Sequence, residues 1–249
     1  MRIADVLFSQ GFGSRRECGD LLTSGQVRVA GDMVCDPATD VATAGLVFQV
    51  SGMDWPFREQ ALVLLHKPAG FECSRDPRDH PSVLGLLPLP LRRRVQPVGR
   101  LDQDTTGLLL LTDDGPLLHR LTSPKHHVAK VYQVTTRHAV MPEQVAQLLA
   151  GVRLKDDPQP VKAAACEVTG DTQLRLTLTD GRYHQVKRML AAVGNRVDAL
   201  HRSALGTLQL DGSLAPGHWR WVSEEEAETL RSAPNQAQGR PADFTPRVG

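Results

Sequence analysis

Gly99-Arg100-Leu101-Asp102-Gln103-Asp104-Thr105-Thr106-Gly107-Leu108-Leu109-Leu110-Leu111-Thr112-Asp113-Asp114-Gly115 is the stretch from which the chain is best read. A polar loop bounded by Gly99 and Gly107 runs into four consecutive leucines, and Asp-Asp-Gly closes the segment. A short apolar run ended by a turn signal reads as a buried strand. A loop anchored on such a strand holds a side chain in a fixed position, as a reactive group requires. Asp102 is the carboxylate so placed. On residue type alone the segment also fits a plain turn, with Asp102 as its cap and Arg100 paired to a neighbour.

Upstream, Ala61–Leu65 reads as a second buried strand that ends at the turn Lys67-Pro68-Ala69-Gly70. Residues 71–100 read as a proline-rich loop containing Arg92-Arg93-Arg94, a run suited to phosphates or to plain solvation. Helices are expected over Pro116–Thr122, over Pro142–Ala150, and over Tyr183–Val193, where Val186, Met189, Leu190 and Val193 share a face. Strands are expected at Val128–Thr135, Ala164–Val168, Leu174–Leu178 and within 197–222. Ser223-Glu224-Glu225-Glu226 opens a last helix with acids where the helix dipole favours them. Many strands and fewer helices predict an α+β fold on a mostly antiparallel sheet flanked by helices.

Residues 1–52 read as a small separate module. Ile3, Val6 and Leu7 share a helical face, and Ser14 with Glu17 forms a capping box for a helix ending near Ser24. Short strands at Val27–Val29, Met33–Cys35 and Leu46–Val50 follow. Residues 53–59 are the expected linker, 60–231 the second domain, and 232–249 a Pro, Gln, Gly and Ala rich tail expected to be disordered.

Composition bounds the function. The 249 residues suit one large domain or two smaller ones, and 41% hydrophobic with 23% charged residues excludes a wholly disordered chain. There is no apolar run of about 18 residues to cross a membrane, and Met1–Asp5 opens no apolar signal segment. Cys18, Cys35, Cys73 and Cys166 lack C-x-x-C spacing, which argues against a zinc ribbon and for reduced thiols in a cytoplasm. With 29 basic and 28 acidic residues the net charge is +1, so any nucleic-acid site must be local.

The central segment resembles the signature of the pseudouridine synthases: Gly-Arg-Leu-Asp, then Thr and Gly, then the leucine run and Thr-Asp-Asp-Gly. Lys67-Pro68-Ala69-Gly70 with Ser74 is similar to the family's first motif. Ser123-Pro124-Lys125-His126-His127 leading to Lys130-Val131-Tyr132 resembles its K-x-Y motif, and Gly181-Arg182-Tyr183-His184-Gln185-Val186-Lys187-Arg188-Met189 its third. Ser14-Arg15-Arg16, Leu21-Leu22, Gly25-Gln26-Val27-Arg28-Val29 and Gly31 resemble the S4 RNA-binding domain, an αL-type module. Asp79-His80-Pro81, Thr122–His127 and Leu214-Ala215-Pro216-Gly217 resemble the branch that acts on small-subunit ribosomal RNA. The resemblance covers residues 1–231.

The resemblance implies isomerisation of a uridine within RNA, with no cofactor and no metal. It makes Asp102 the catalytic carboxylate, acting on the sugar as nucleophile or as base. Lys187 is its cationic partner, with Arg188 as the alternative. Tyr132 stacks on the flipped uracil. Arg100 fills the place of that base or meets its phosphate, and Arg15, Arg16, Arg28, Arg182 and Arg188 are the RNA-binding residues. Arg182 and His184 either bind phosphate or brace the motif, while Thr105, Thr106 and Gly107 shape the loop. The implied partner is 16S ribosomal RNA, free or in a partly assembled small subunit, met by a cytoplasmic monomer without a membrane. The same chemistry on a large-subunit or other RNA, or a non-catalytic assembly factor, are the alternatives.

Local charge qualifies the RNA grip. Residues 1–52 carry four basic and six acidic residues, net −2, so Arg15, Arg16 and Arg28 would have to form one basic face. Residues 60–130 carry ten basic and seven acidic residues, net +3 around the central motif.

Overall fold

The computed structural model describes residues 1–155, 157 and 159–232. The N-terminal part consists of α1 (Ile3–Ser9), α2 (Arg15–Thr23), β1 (Val27–Val29), β2 (Asp32–Met33), β3 (Val47–Val50) and β4 (Met53–Pro56). Its four strands form an antiparallel sheet in the order β2-β1-β3-β4. The capping box is present: Ser14 Oγ accepts from Glu17 N at 3.3 Å, and Glu17 Oε2 accepts from Ser14 N at 2.6 Å. Ile3, Val6 and Leu7 bury the inner face of α1. The expected linker is corrected at its start. Residues 53–56 pair with β3, from Val50↔Met53 to Val47↔Pro56, because Ser51-Gly52 turns the chain back on itself with both residues at positive φ.

The second part contains β5 (Leu62–Lys67), α3 (Leu89–Arg94), β6 (Gln96–Pro97), β7 (Thr106–Thr112), α4 (Gly115–Thr122), β8 (Lys130–Thr136) and α5 (Pro142–Ala150). It continues with β9 (Ala165–Gly170), β10 (Gln173–Leu178), α6 (Gln185–Ala192), β11 (Val197–Leu205), β12 (Leu208–Gln209), β13 (Trp219–Trp221) and α7 (Glu224–Ser232). The sheet runs β13-β5-β7-β11-β8-β10-β9, with β6 beside β7 and β12 beside β11. Among the described residues β7 and β11 pair in parallel, at Thr106↔His201 and Gly107↔Arg202, and the other strand pairs are antiparallel. The α+β, mostly antiparallel expectation holds. The tail lies outside the described residues from 233 on, and Ser232 ends α7.

The leucine run is explained by burial on both faces of β7. Leu109 and Leu111 join the core that includes Leu91, Val186, Met189 and Leu190, and Leu108 and Leu110 join the one built by Leu117, Leu121, Ala227 and Leu230. A strand covered on both sides has no polar alternation. Each buried leucine is worth roughly 1.5–3 kcal/mol, so β7 is a rigid anchor for the loop before it.

The two parts are docked rather than strung on a linker. Their cores are continuous, and Trp55 of β4 meets Phe12 and Trp221 edge-on, with ring centroids 5.2 and 5.9 Å away. Arg94 ties the junction, pairing with Asp113 at 2.6 Å and donating to Gln10 Oε1 at 2.8 Å and to the carbonyls of Arg58 and Glu59. Arg92–Arg94 therefore lie in a helix and not in the expected loop. They end the short helix α3, where Arg92 donates to the carbonyls of Leu87 and Gly85 and Arg93 lies 3.7 Å from Glu17. A helix of six residues with Pro90 inside its first turn is too short to show a 3.6-residue period.

Candidate active site

The loop between Val98 and Thr106 is held from several sides. Thr105 N donates to Asp102 O at 3.1 Å, closing a turn, and Gly70 N donates to Gln103 O at 2.8 Å, tying in the Lys67–Gly70 turn. Lys67 is wholly buried, and its ammonium donates to the carbonyls of Thr105, Gln103 and Pro68 at 2.8, 3.1 and 3.0 Å. Burial pushes its pKa down, and the nearby Cys73, Asp104 and Asp102 work against that. Leu101 N donates to Cys73 Sγ at 3.4 Å. Gly107 is required by close approach: at φ +110° a Cβ there would fall 2.2 Å from the Arg202 carbonyl oxygen. The backbone of β11 thus lies against the point where the loop becomes strand.

Asp102 is half-buried at the mouth of a pocket. Lys187, from the first turns of α6, places Nζ 3.1 Å from Asp102 Oδ2, and 2.7 and 2.9 Å from the two oxygens of Asp104. His184 Nε2 lies 3.3 Å from Asp102 Oδ1. Two carboxylates therefore share one ammonium. Burial opposes the charge on Asp104, but its hydrogen bonds and attraction to Lys187 prevail and hold its pKa below the ordinary carboxylate value. Burial likewise opposes the charge on Lys187, and the two carboxylates prevail and raise its pKa.

The pocket is lined by Arg100, Asp102, Thr105, Lys130, Tyr132 and Arg202, among others. Its volume of about 140 Å³ is close to the roughly 150 Å³ at which a cavity takes in one benzene ring. Tyr132 and Lys130 alternate along β8, and Arg202 is the register partner of Tyr132 on β11. Burial, with the neighbouring Arg202 charge, lowers the Lys130 pKa to about 8. Thr105 Oγ1 and Arg202 Nη2 are buried without a hydrogen-bond partner among the described residues.

Of the residues expected from sequence, Asp102, Tyr132, Lys187, Arg100 and Arg182 come together at this pocket. Arg100 is exposed, and its side chain makes no hydrogen bond or ion pair with a described residue. Arg182 pairs with Asp157 and with Asp180. Arg188, the alternative partner for Asp102, turns away and donates to the carbonyls of Tyr183 and Lys155, so Lys187 alone of the two reaches the carboxylate. Arg15, Arg16 and Arg28 lie on the N-terminal part: Arg15 pairs with Asp5 at 2.7 Å and covers the Phe8 ring, Arg28 donates to Gly31 O, and Arg16 is exposed. The −2 balance of that part thus shows as acids that engage one of its own arginines.

Sequence reasoning missed the buried role of Lys67, the part of Asp104, and Arg202. Asp104 had a legible signal, a second carboxylate two residues after the first. Arg202 had none, since it enters from a strand 100 residues downstream through the parallel pairing with Gly107.

Comparison with known proteins agrees with this geometry. Residues 61–192 match the family model described as RNA pseudouridylate synthase, and residues 1–46 match the S4 domain. The ribosomal small subunit pseudouridine synthase A of Salmonella typhimurium is 42% identical over 233 residues, 92% of this chain and 100% of the relative. That of Escherichia coli (strain K12) is 42% identical over 239 residues with the same coverage. A crystal structure of a pseudouridylate synthase superposes with a TM-score of 0.67 at 35% identity, over 92% of this chain and 99% of the other.

Proposed function

The chain belongs to the RNA pseudouridylate synthase family and carries an S4 domain, and we propose that it converts one uridine of small-subunit (16S) ribosomal RNA to pseudouridine. The observation that carries the chemistry is the Asp102–Lys187 pair, 3.1 Å apart, at the mouth of a one-ring pocket walled by Tyr132. The small-subunit target is supported by the similarity to small-subunit enzymes over 92% of the chain. In this proposal the substrate is free RNA or a partly assembled subunit, and the enzyme works as a cytoplasmic monomer.

The isomerisation breaks the bond between ribose C1′ and uracil N1, rotates the ring, and joins C1′ to C5. The C5 proton leaves and N1 ends with one, so the product has the mass of the substrate. Base flipping delivers the uracil, since neither atom is reachable in a stack. Asp102 supplies a carboxylate oxygen to the sugar, whether by attack at C1′ or by removal of a sugar proton. Lys187 holds the side chain in place with its ammonium 3.1 Å from that carboxylate. Tyr132 gives the detached ring an aromatic face to lie on.

The test uses unmodified RNA transcripts with tritium at uridine C5. Wild type is expected to release tritium from one small-subunit position, and Asp102→Asn to release none while binding RNA normally. Release from large-subunit RNA instead would move the target. Turnover by Asp102→Asn would remove Asp102 from the chemistry. No release from either RNA or from partly assembled subunits would overturn the isomerase reading.

A further inference from the structure

Tyr183 is the most exposed large apolar side chain among the described residues, at 71%. Single exposed apolar residues are ordinary, but this ring is not loose. It lies flat on the imidazole of His184, with centroids 3.8 Å apart and planes at 18°. His184 in turn stands 3.3 Å from Asp102. The imidazole thus meets Asp102 at its edge and Tyr183 on its face, and the phenol ring is open to solvent.

The segment that carries the two rings is fixed. His184 takes the left-handed conformation, φ +48°, uncommon for a residue with a side chain. Arg188 donates to the Tyr183 carbonyl at 3.3 Å, and Arg182 N donates to Gln185 Oε1 at 2.8 Å. Gln185 Nε2 reaches Asp180 at 2.5 Å, and Arg182 pairs with Asp157. Two arginines expected to hold phosphate are engaged in holding this loop.

Extracting a uridine leaves its neighbours without a stacking partner, and the pocket's volume of about 140 Å³ suits one ring. A neighbouring base then lies outside the pocket, and Tyr183 stands beside it, stacked on the pocket-lining His184. Arg100, exposed, lines the same pocket. We propose that Tyr183, backed by His184, is a stacking platform for an unpaired RNA base adjoining the target uridine. This rests on the RNA substrate proposed above and adds a positioning residue to it.

The test measures equilibrium binding of unmodified small-subunit RNA in an Asp102→Asn background that prevents turnover. Tyr183→Ala is expected to weaken binding by about 5- to 150-fold, the range of base–aromatic stacking, with the salt dependence unchanged because no charge is lost. Tyr183→Phe and Tyr183→Trp are expected to bind as the parent does. An abasic nucleotide beside the mapped uridine should cost the parent the same factor and cost Tyr183→Ala nothing more, whereas a merely structural role would give additive losses. Equal affinity of Tyr183→Ala and parent, or additive losses, overturns the platform. If Tyr183→Ala loses affinity where Tyr183→Phe and Tyr183→Trp keep it, while wild type isomerises no uridine, the platform stands and the isomerase reading falls.

Discussion

The ammonium of Lys187 stands between Asp102, at 3.1 Å, and Asp104, at 2.7 Å, so the charge on Asp102 is balanced by a cation it does not own alone. Burial raises the Asp104 pKa, and the hydrogen bonds and charge of Lys187 pull it below the ordinary value. Lys187→Met leaves the two carboxylates side by side without their cation, so the Asp104 pKa should rise and kcat/KM at pH 7 should fall. Asp104→Asn leaves the whole ammonium to Asp102, and activity should be kept. Activity assays of both variants, with an NMR titration of Asp104 in Lys187→Met, check this; full activity of Lys187→Met would separate the ion pair from catalysis.

Gly107 sits at φ +110° where a Cβ would come 2.2 Å from a backbone oxygen of β11. Gly107→Ala must either push β11 away or abandon the turn. A loss of at least about 3 kcal/mol is expected from strain and overpacking together, read as a fall in the urea midpoint. Gly212→Ala, with nothing within 4 Å of its Cβ, is the control and should change little.

Lys130 carries a pKa of about 8, lowered by burial from 10.5. The sign follows from proton binding: between about pH 8 and 10.5 the unfolded chain holds a proton that the folded one has released, so this residue makes stability rise with pH across that window. Lys130→Met removes that rise and relieves the cost of a buried charge below pH 8. The stability difference between Lys130→Met and wild type should be largest near pH 7 and shrink by up to about 3 kcal/mol on going to pH 10.5. Parallel stability curves for the two proteins would contradict it.

Arg94 is 8% exposed in its side chain and joins Asp113 to Gln10 across the junction of the two parts. Arg94→Ala leaves the partly buried Asp113 carboxylate without its cation, at a cost of roughly 1–3 kcal/mol. The expected result is lower stability together with faster amide exchange in α1 and α2. Loss of stability with unchanged exchange there would confine the role of Arg94 to its own domain.

The architecture was legible where burial leaves a pattern. Leu108–Leu111 announced a strand covered on both faces, Ser14 and Glu17 announced a helix start, and the Asp102 loop announced a fixed carboxylate. The six residues of α3 and the four of β4 were not legible. Elements that short carry no period, and β4 exists because β3 offers it hydrogen bonds.

Motif order along the chain was enough for the family and the α+β class, and it singled out Asp102, Tyr132 and Lys187 as the candidate site residues. Which cation meets Asp102 was settled by the fold, since residues 187 and 188 are neighbours in the chain but point about 100° apart on a helix of 3.6 residues per turn. The fold also decided that Arg92–Arg94 and Arg188 are engaged within the protein rather than presented to a ligand. Charge in a sequence is a count. Whether a charge is available depends on the carbonyls and carboxylates that the fold brings within about 3 Å of it.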